Sequence, residues 1–188
     1  MPRLVDHDQR RRAIAEAVRR IAADRGLEAV SVGQVATEAG ISKGLVQHYF
    51  PSKDAMLRYA TTTLRDQVDH RVPGDEPPDL RTLAVSLLPL NEAGRTEALV
   101  ANAFLFRALK DEEIAARFRE GYTQLHRILT ALLGDAQASG DLAAGLDPAQ
   151  EADLLLAVVA GLGDAVLLGH READEAIALV DRHLSRLR

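Results

Sequence analysis

Lys43 and Gln47 stand four residues apart with His48 beside the second, a spacing that sets three hydrogen-bonding side chains along one side of a short helix. They lie within VGQVATEAGISKGLVQHYFPSKDAM, which reads as two short helices joined by a tight glycine-containing turn. That is the pattern of a helix-turn-helix, whose second helix enters the major groove of duplex DNA. Ala36 is small where the two helices must cross, Gly40 permits the left-handed backbone of the turn, and Ile41 and Val46 hold the crossing from inside. Lys43, Gly44, Leu45, Gln47 and His48 are then left on the exposed N-terminal face of the second helix. Gln can bond adenine N6 and N7 together and Lys prefers guanine O6 and N7, so these side chains suit base edges. No other chemistry is concentrated in this way. There is no cysteine, no H-E-x-x-H, no phosphate-binding glycine loop and no convergent His/Asp set, and His70, His126, His170 and His183 are dispersed at no metal-ligand spacing. Neither an enzyme, nor a cofactor, nor a metal is expected.

The elements that position this motif are helical throughout, because apolar residues recur at three- to four-residue spacing and alternating β-branched runs are absent. An all-α protein of about nine helices is predicted. The first runs from about Asp8 to Arg25 with Ile14, Ala17, Val18 and Ile21 as its apolar stripe, and Gly26 ends it. The second opens at Ser31, with Gln34 placed to complete a capping box, and carries Val35, Ala36 and Ala39 inward. Ser42 caps a third of roughly Lys43 to Phe50, which Pro51 stops. A fourth, about Lys53 to Arg71, ends in VPGDEPPD, where Pro73, Gly74, Pro77 and Pro78 forbid continuation. Five more follow, at about Leu80 to Leu90, Arg95 to Leu109, Glu112 to Ser139, Pro148 to Gly169 and Glu172 to Leu187. The expected organisation is a DNA-binding domain over 1–52 and a second domain over 53–188, with a linker at 72–79.

This region resembles the TetR family of transcriptional regulators. The family's A-G-[IV]-[ST] turn matches Ala39, Gly40, Ile41 and Ser42, and its K-G-x-x-x-x-x-F-x-[ST]-K run matches Lys43, Gly44, Phe50, Ser52 and Lys53, over a match of about residues 8–60. The resemblance implies that Lys53 pairs with a phosphate, as does Ser42 or Tyr49, while Lys43, Leu45, Gln47 and His48 face base edges. Where the family often has an aromatic and a histidine, this chain has Gln47 and Tyr49. Read from the residues alone, Tyr49 serves equally well as a core aromatic closing the three-helix module, and Arg10, Arg11 and Arg12 read as a solvated helix start, with a phosphate-touching arm as the alternative.

The resemblance also implies a homodimer on palindromic operator DNA, because a major-groove reader of this class spans half-sites about 34 to 36 Å apart. The final helix pair is the candidate interface, since the first of the two is apolar around most of its circumference and Ala157, Ala160, Gly161 and Ala165 allow close approach, with Asp164 among them. Ordinary packing within one chain is the alternative. The second domain is more loosely similar to the group containing the betaine-operon repressor. That likeness places Phe104, Phe118, Tyr122, Leu125 and His126 near a small-molecule effector, although apolar residues among them serve a plain core as well. A choline-type effector is disfavoured, because quaternary ammonium recognition uses several aromatic faces and the chain holds no Trp, 4 Phe and 3 Tyr. The expected function is a one-component regulator, most simply a repressor, with an activator of the same fold or a protein-binding helical module as the other readings.

Charge fits this division of labour. Residues 1–71 carry 12 Lys/Arg against 9 Asp/Glu, while the whole chain is at −5, so the remainder is the acidic part. The N-terminus is charged with no apolar run behind it, and no segment approaches the roughly 18 consecutive apolar residues of a membrane span. A cytoplasmic protein with no membrane partner is expected.

Overall fold

A computed structural model describes residues 3–62 and 78–188, with side chains from His7 onward. Among the described residues the regular structure is nine α-helices and one 3-10 turn, with no strand. The end of the expected fourth helix and most of the expected linker, 72–77, lie outside the described residues.

The helix-turn-helix forms from local signals. Helix α1 (Arg3–Arg25) ends at Gly26, whose φ of +76° only glycine adopts freely, and a 3-10 turn (Leu27–Ala29) follows. Helix α2 (Val32–Ala39) is capped by the Ser31 hydroxyl, which accepts from the Gln34 N–H at 3.2 Å. The expected reciprocal bond is absent, because the Gln34 side chain turns to accept from Arg25 at 3.2 Å. Gly40 (φ +66°) closes α2, and the Ile41 N–H returns to the Ala36 carbonyl at 2.9 Å. Helix α3 (Lys43–Tyr49) starts under the Ser42 hydroxyl, and α4 (Lys53–Ala60) under that of Ser52.

Capping and proline also set the later boundaries. Helix α5 (Leu80–Ser86) is shorter than expected, because Pro89 has no N–H and disfavours helical backbone at Leu88. Helix α6 (Glu92–Ala108) begins earlier than expected, because the Asn91 side chain accepts from the Gly94 N–H at 2.8 Å. Helices α7 (Glu112–Ala138), α8 (Pro148–Leu167) and α9 (Ala173–Ser185) complete the chain.

Two compact units result: 3–62 with 96–118, and 78–95 with 119–188. Burial holds the first unit together, since Met56, Leu57 and Ala60 of α4 join Ile14, Val18 and Ile21 of α1, Val35 of α2 and Val46 of α3 in one core, which also takes Val100, Phe104 and Ile114. In the other unit Leu83 and Leu88 pack with Leu129, Leu133, Leu155, Val159, Ala176 and Val180. A bidentate ion pair from Arg81 to Asp181, at 2.6 and 3.0 Å, ties α5 to α9 there.

Candidate nucleic-acid interface

The two-sidedness of α3 follows from its sequence. Val46 is fully buried and the following Phe50 is 1% exposed, so both point into the core. Ser42, Lys43, Gly44, Gln47 and His48 are exposed, and Leu45 and Tyr49 are half-buried. The Lys43 side chain lies over Gly33 of α2, where a Cβ would meet its Cε at 3.1 Å. Tyr49 sits edge-on to the rings of His7 at 4.5 Å and His48 at 5.3 Å, which joins the start of α1 to the end of α3. Lys53 is half-buried and donates to the Leu27 carbonyl at 3.0 Å, so it fastens α4 to the 3-10 turn with two further N–H donors left over.

Behind this surface the module is braced by cations. The Arg11 guanidinium lies over the rings of Tyr59 at 4.4 Å and Phe50 at 5.2 Å, so this arginine packs, while Arg10 and Arg12 are exposed. Helix α4 is tied to α6 and α7 through Asp111, a residue only 6% exposed. Arg58 Nε donates to both Asp111 oxygens at 3.1 and 3.3 Å, and the Ile114 N–H donates at 3.4 Å. Arg107 lies 3.6 Å from Asp111 and donates to Asp54 of α4 at 2.8 Å. Burial alone would raise the Asp111 carboxyl. The bonds from Arg58 and Ile114 and the charges of Arg58 and Arg107 outweigh it and hold the group below the usual carboxylate range. Gly33, Arg11 and Asp111 carry no periodic signal that would single them out in the sequence.

The residues expected at an effector site divide between the units. Phe104 is fully buried in the first core and Phe118 packs partly buried against it. Tyr122, Leu125 and His126 belong to the other unit, with Leu125 packed on its core. There the Tyr122 hydroxyl donates to Asp153 at 2.7 Å, and the Tyr122 and His126 rings stack at 6.3 Å and 18°. His126 Nε2 donates to the Ala149 carbonyl at 3.0 Å and lies 3.5 Å from Asp153. The bond to Asp153, with burial and the carboxylate charge behind it, pushes the Tyr122 hydroxyl upward. Asp153 is exposed and was not singled out from sequence, because only the approach of α8 to α7 brings it to this pair.

Along α8, Ala157, Ala160, Gly161 and Asp164 are exposed and Ala165 is half-buried. Leu154 at 53% and Leu168 at 70% exposure flank them, and nothing lies within 4 Å of a Cβ placed on Gly161. Leu155, Leu156 and Val159 take the inward side. No group of three metal-ligating side chains occurs among the described residues, and no helix there is long and apolar enough to cross a membrane.

A three-helix module with a shared core and a polar, outward-facing α3, continued by a helical body, defines a helix-turn-helix DNA-binding regulator. Residues 14–60 match the family described as bacterial regulatory proteins, tetR family, and residues 77–188 match the BetI-type transcriptional repressor C-terminal domain. The chain belongs to the TetR family of transcriptional regulators. It is 32% identical over 168 residues to the HTH-type transcriptional regulator PksA of Bacillus subtilis (strain 168), covering 86% of this chain and 80% of that one. A transcriptional regulator from Rhodococcus sp. Rha1 superposes with a TM-score of 0.80 at 31% identity, over 94% of this chain and 95% of that one. A regulator from Saccharomonospora viridis, solved in complex with choline, has the same fold, with a TM-score of 0.85 at 24% identity over 95% of this chain and 96% of that one.

Proposed function

We propose that this regulator is a repressor that binds a palindromic operator as a homodimer and is released by a small-molecule effector. The observation that carries the reading is α3: Val46 is buried while Ser42, Lys43, Gly44, Gln47 and His48 are exposed, which leaves a polar face on a braced helix. Gln47 and His48 read base edges, Leu45 offers apolar contact, and Lys53, with Ser42 or Tyr49, places the module on phosphates. Residues 1–52, with Lys53 at the start of α4, supply DNA binding, and the rest of 53–188 supplies dimerisation and the effector site.

Dimerisation is assigned to α8 and α9. Ala157, Ala160, Gly161, Asp164 and Ala165 lie along α8 between the exposed Leu154 and Leu168, and the small residues among them permit close approach about a two-fold axis. The effector is assigned to the second domain, with Phe104, Phe118, Tyr122, Leu125 and His126 as its candidate contacts. The Saccharomonospora protein's choline makes a quaternary ammonium the first ligand to weigh. Such a ligand needs several aromatic faces, and Tyr122 and His126 stack on each other in a chain without Trp, so choline is not proposed. Release follows from α7, which carries Tyr122 and His126 and is capped at its start by the Asp111 that holds Arg58 of α4. An effector that shifts α7 moves α4, and a coupling of about 1 to 3 kcal/mol changes operator affinity roughly 5- to 150-fold.

The deciding experiment is selection of bound duplexes from random sequence. An inverted repeat with half-site centres about 34 to 36 Å apart is expected. Recovery of no preferred sequence, or of a single unrepeated site, overturns the reading.

A further inference from the structure

We infer that Gly33 makes Lys43 a phosphate-contacting residue instead of a base reader, by leaving the surface over the first turn of α2 free for the lysine side chain. The inference rests on the reading of α3 as the helix that enters the groove. A Cβ on Gly33 would lie 3.1 Å from Lys43 Cε and 3.4 Å from Nζ, closer than ordinary van der Waals contact for the first of these. The lysine therefore starts at the first residue of α3, and the end of its side chain lies against Gly33 of α2. In a docked helix-turn-helix the second helix occupies the major groove and the first crosses the sugar-phosphate backbone. An ammonium laid over α2 faces that backbone, while Gln47, about one turn further along α3, keeps the bases. Arg20, Arg25 and Arg58 each have a carboxylate partner, whereas among the described residues no ion pair holds the Lys43 ammonium. It is available to a phosphate without first breaking a salt bridge. A larger side chain at position 33 takes this surface from Lys43 and sends it along α3.

The test uses the full-length protein with two duplexes, one recovered by selection from random sequence and one scrambled, each titrated over a range of salt. Lys43→Ala is expected to weaken both by a similar factor, to lower the salt slope by about one and to leave the selected bases unchanged. Gly33→Met should reproduce part of that loss in the native background and add nothing once Lys43 is alanine. Methionine is a good helix former, so a preserved melting temperature separates this effect from misfolding. A change in preferred base at one position with an unaltered salt slope in Lys43→Ala overturns the inference, as does a Gly33→Met effect of equal size with and without Lys43. If Lys43→Ala and Gln47→Ala both leave binding of the selected duplex intact, the groove reading of α3 fails as well, which is a different result from either of these.

Discussion

Gln47 is exposed on α3 with its amide free to meet a base, and its role is measurable one base pair at a time. Loss of a bidentate contact costs about 1 to 3 kcal/mol of discrimination, so Gln47→Ala should flatten the preference at one position of each half-site in a competition assay. Lys53→Ala should instead weaken selected and scrambled duplexes alike, and should also lower the unfolding midpoint, because the same ammonium holds the Leu27 carbonyl. Asp111 gives a prediction in pH. Its carboxyl is held below the ordinary value by Arg58 and Ile114 against the opposing effect of burial. The folded state therefore prefers the ionised form. The resulting stability is fully present above the unfolded carboxylate pKa of about 3.9 and is lost as pH falls through the lower folded-state value. Melting curves from pH 6 downward should show a smaller acid-induced loss in Asp111→Asn, which is less stable at neutral pH and has no carboxylate there to protonate.

At the scale of elements, the angle between α2 and α3 depends on one backbone conformation. Gly40 has φ +66°, where any Cβ crowds the following carbonyl, although open space surrounds the position itself. Gly40→Ala should cost about 1 to 2 kcal/mol in denaturant unfolding, and loss of operator affinity should accompany it because the presentation of α3 changes. The Ser31, Ser42 and Ser52 caps were readable as helix starts because each hydroxyl needs only the N–H three residues on. The end of α5 and the start of α6 were misplaced by a few residues, since Pro89 and Asn91 act on the backbone while apolar spacing continues through them.

Across the whole molecule, the assigned two-fold contact on α8 is the feature on which operator binding by two copies depends. Gly161 has open space above it, so Gly161→Arg is compatible with the folded chain and incompatible with close approach of a second α8. Sedimentation should show a monomer with an unchanged melting profile at low concentration, and affinity for the selected palindrome should fall to that for a scrambled duplex. A variant that stays dimeric would move the interface elsewhere.

Local rules were sufficient for the helices and for the exposed face of α3, because capping, glycine turns and the alternation of Val46 and Phe50 with polar neighbours act over three to four residues. Family resemblance carried over the motif from Ala39 to Lys53 for the same reason, as it is nearly continuous in the chain. What depended on tertiary structure were the partners of those residues: Asp111 with Arg58, Asp153 with Tyr122, Arg11 with Tyr59 and Gly33 with Lys43. These contacts join positions far apart in the sequence or on different helices, and their geometry follows from how helices pack, which no spacing along a single helix encodes.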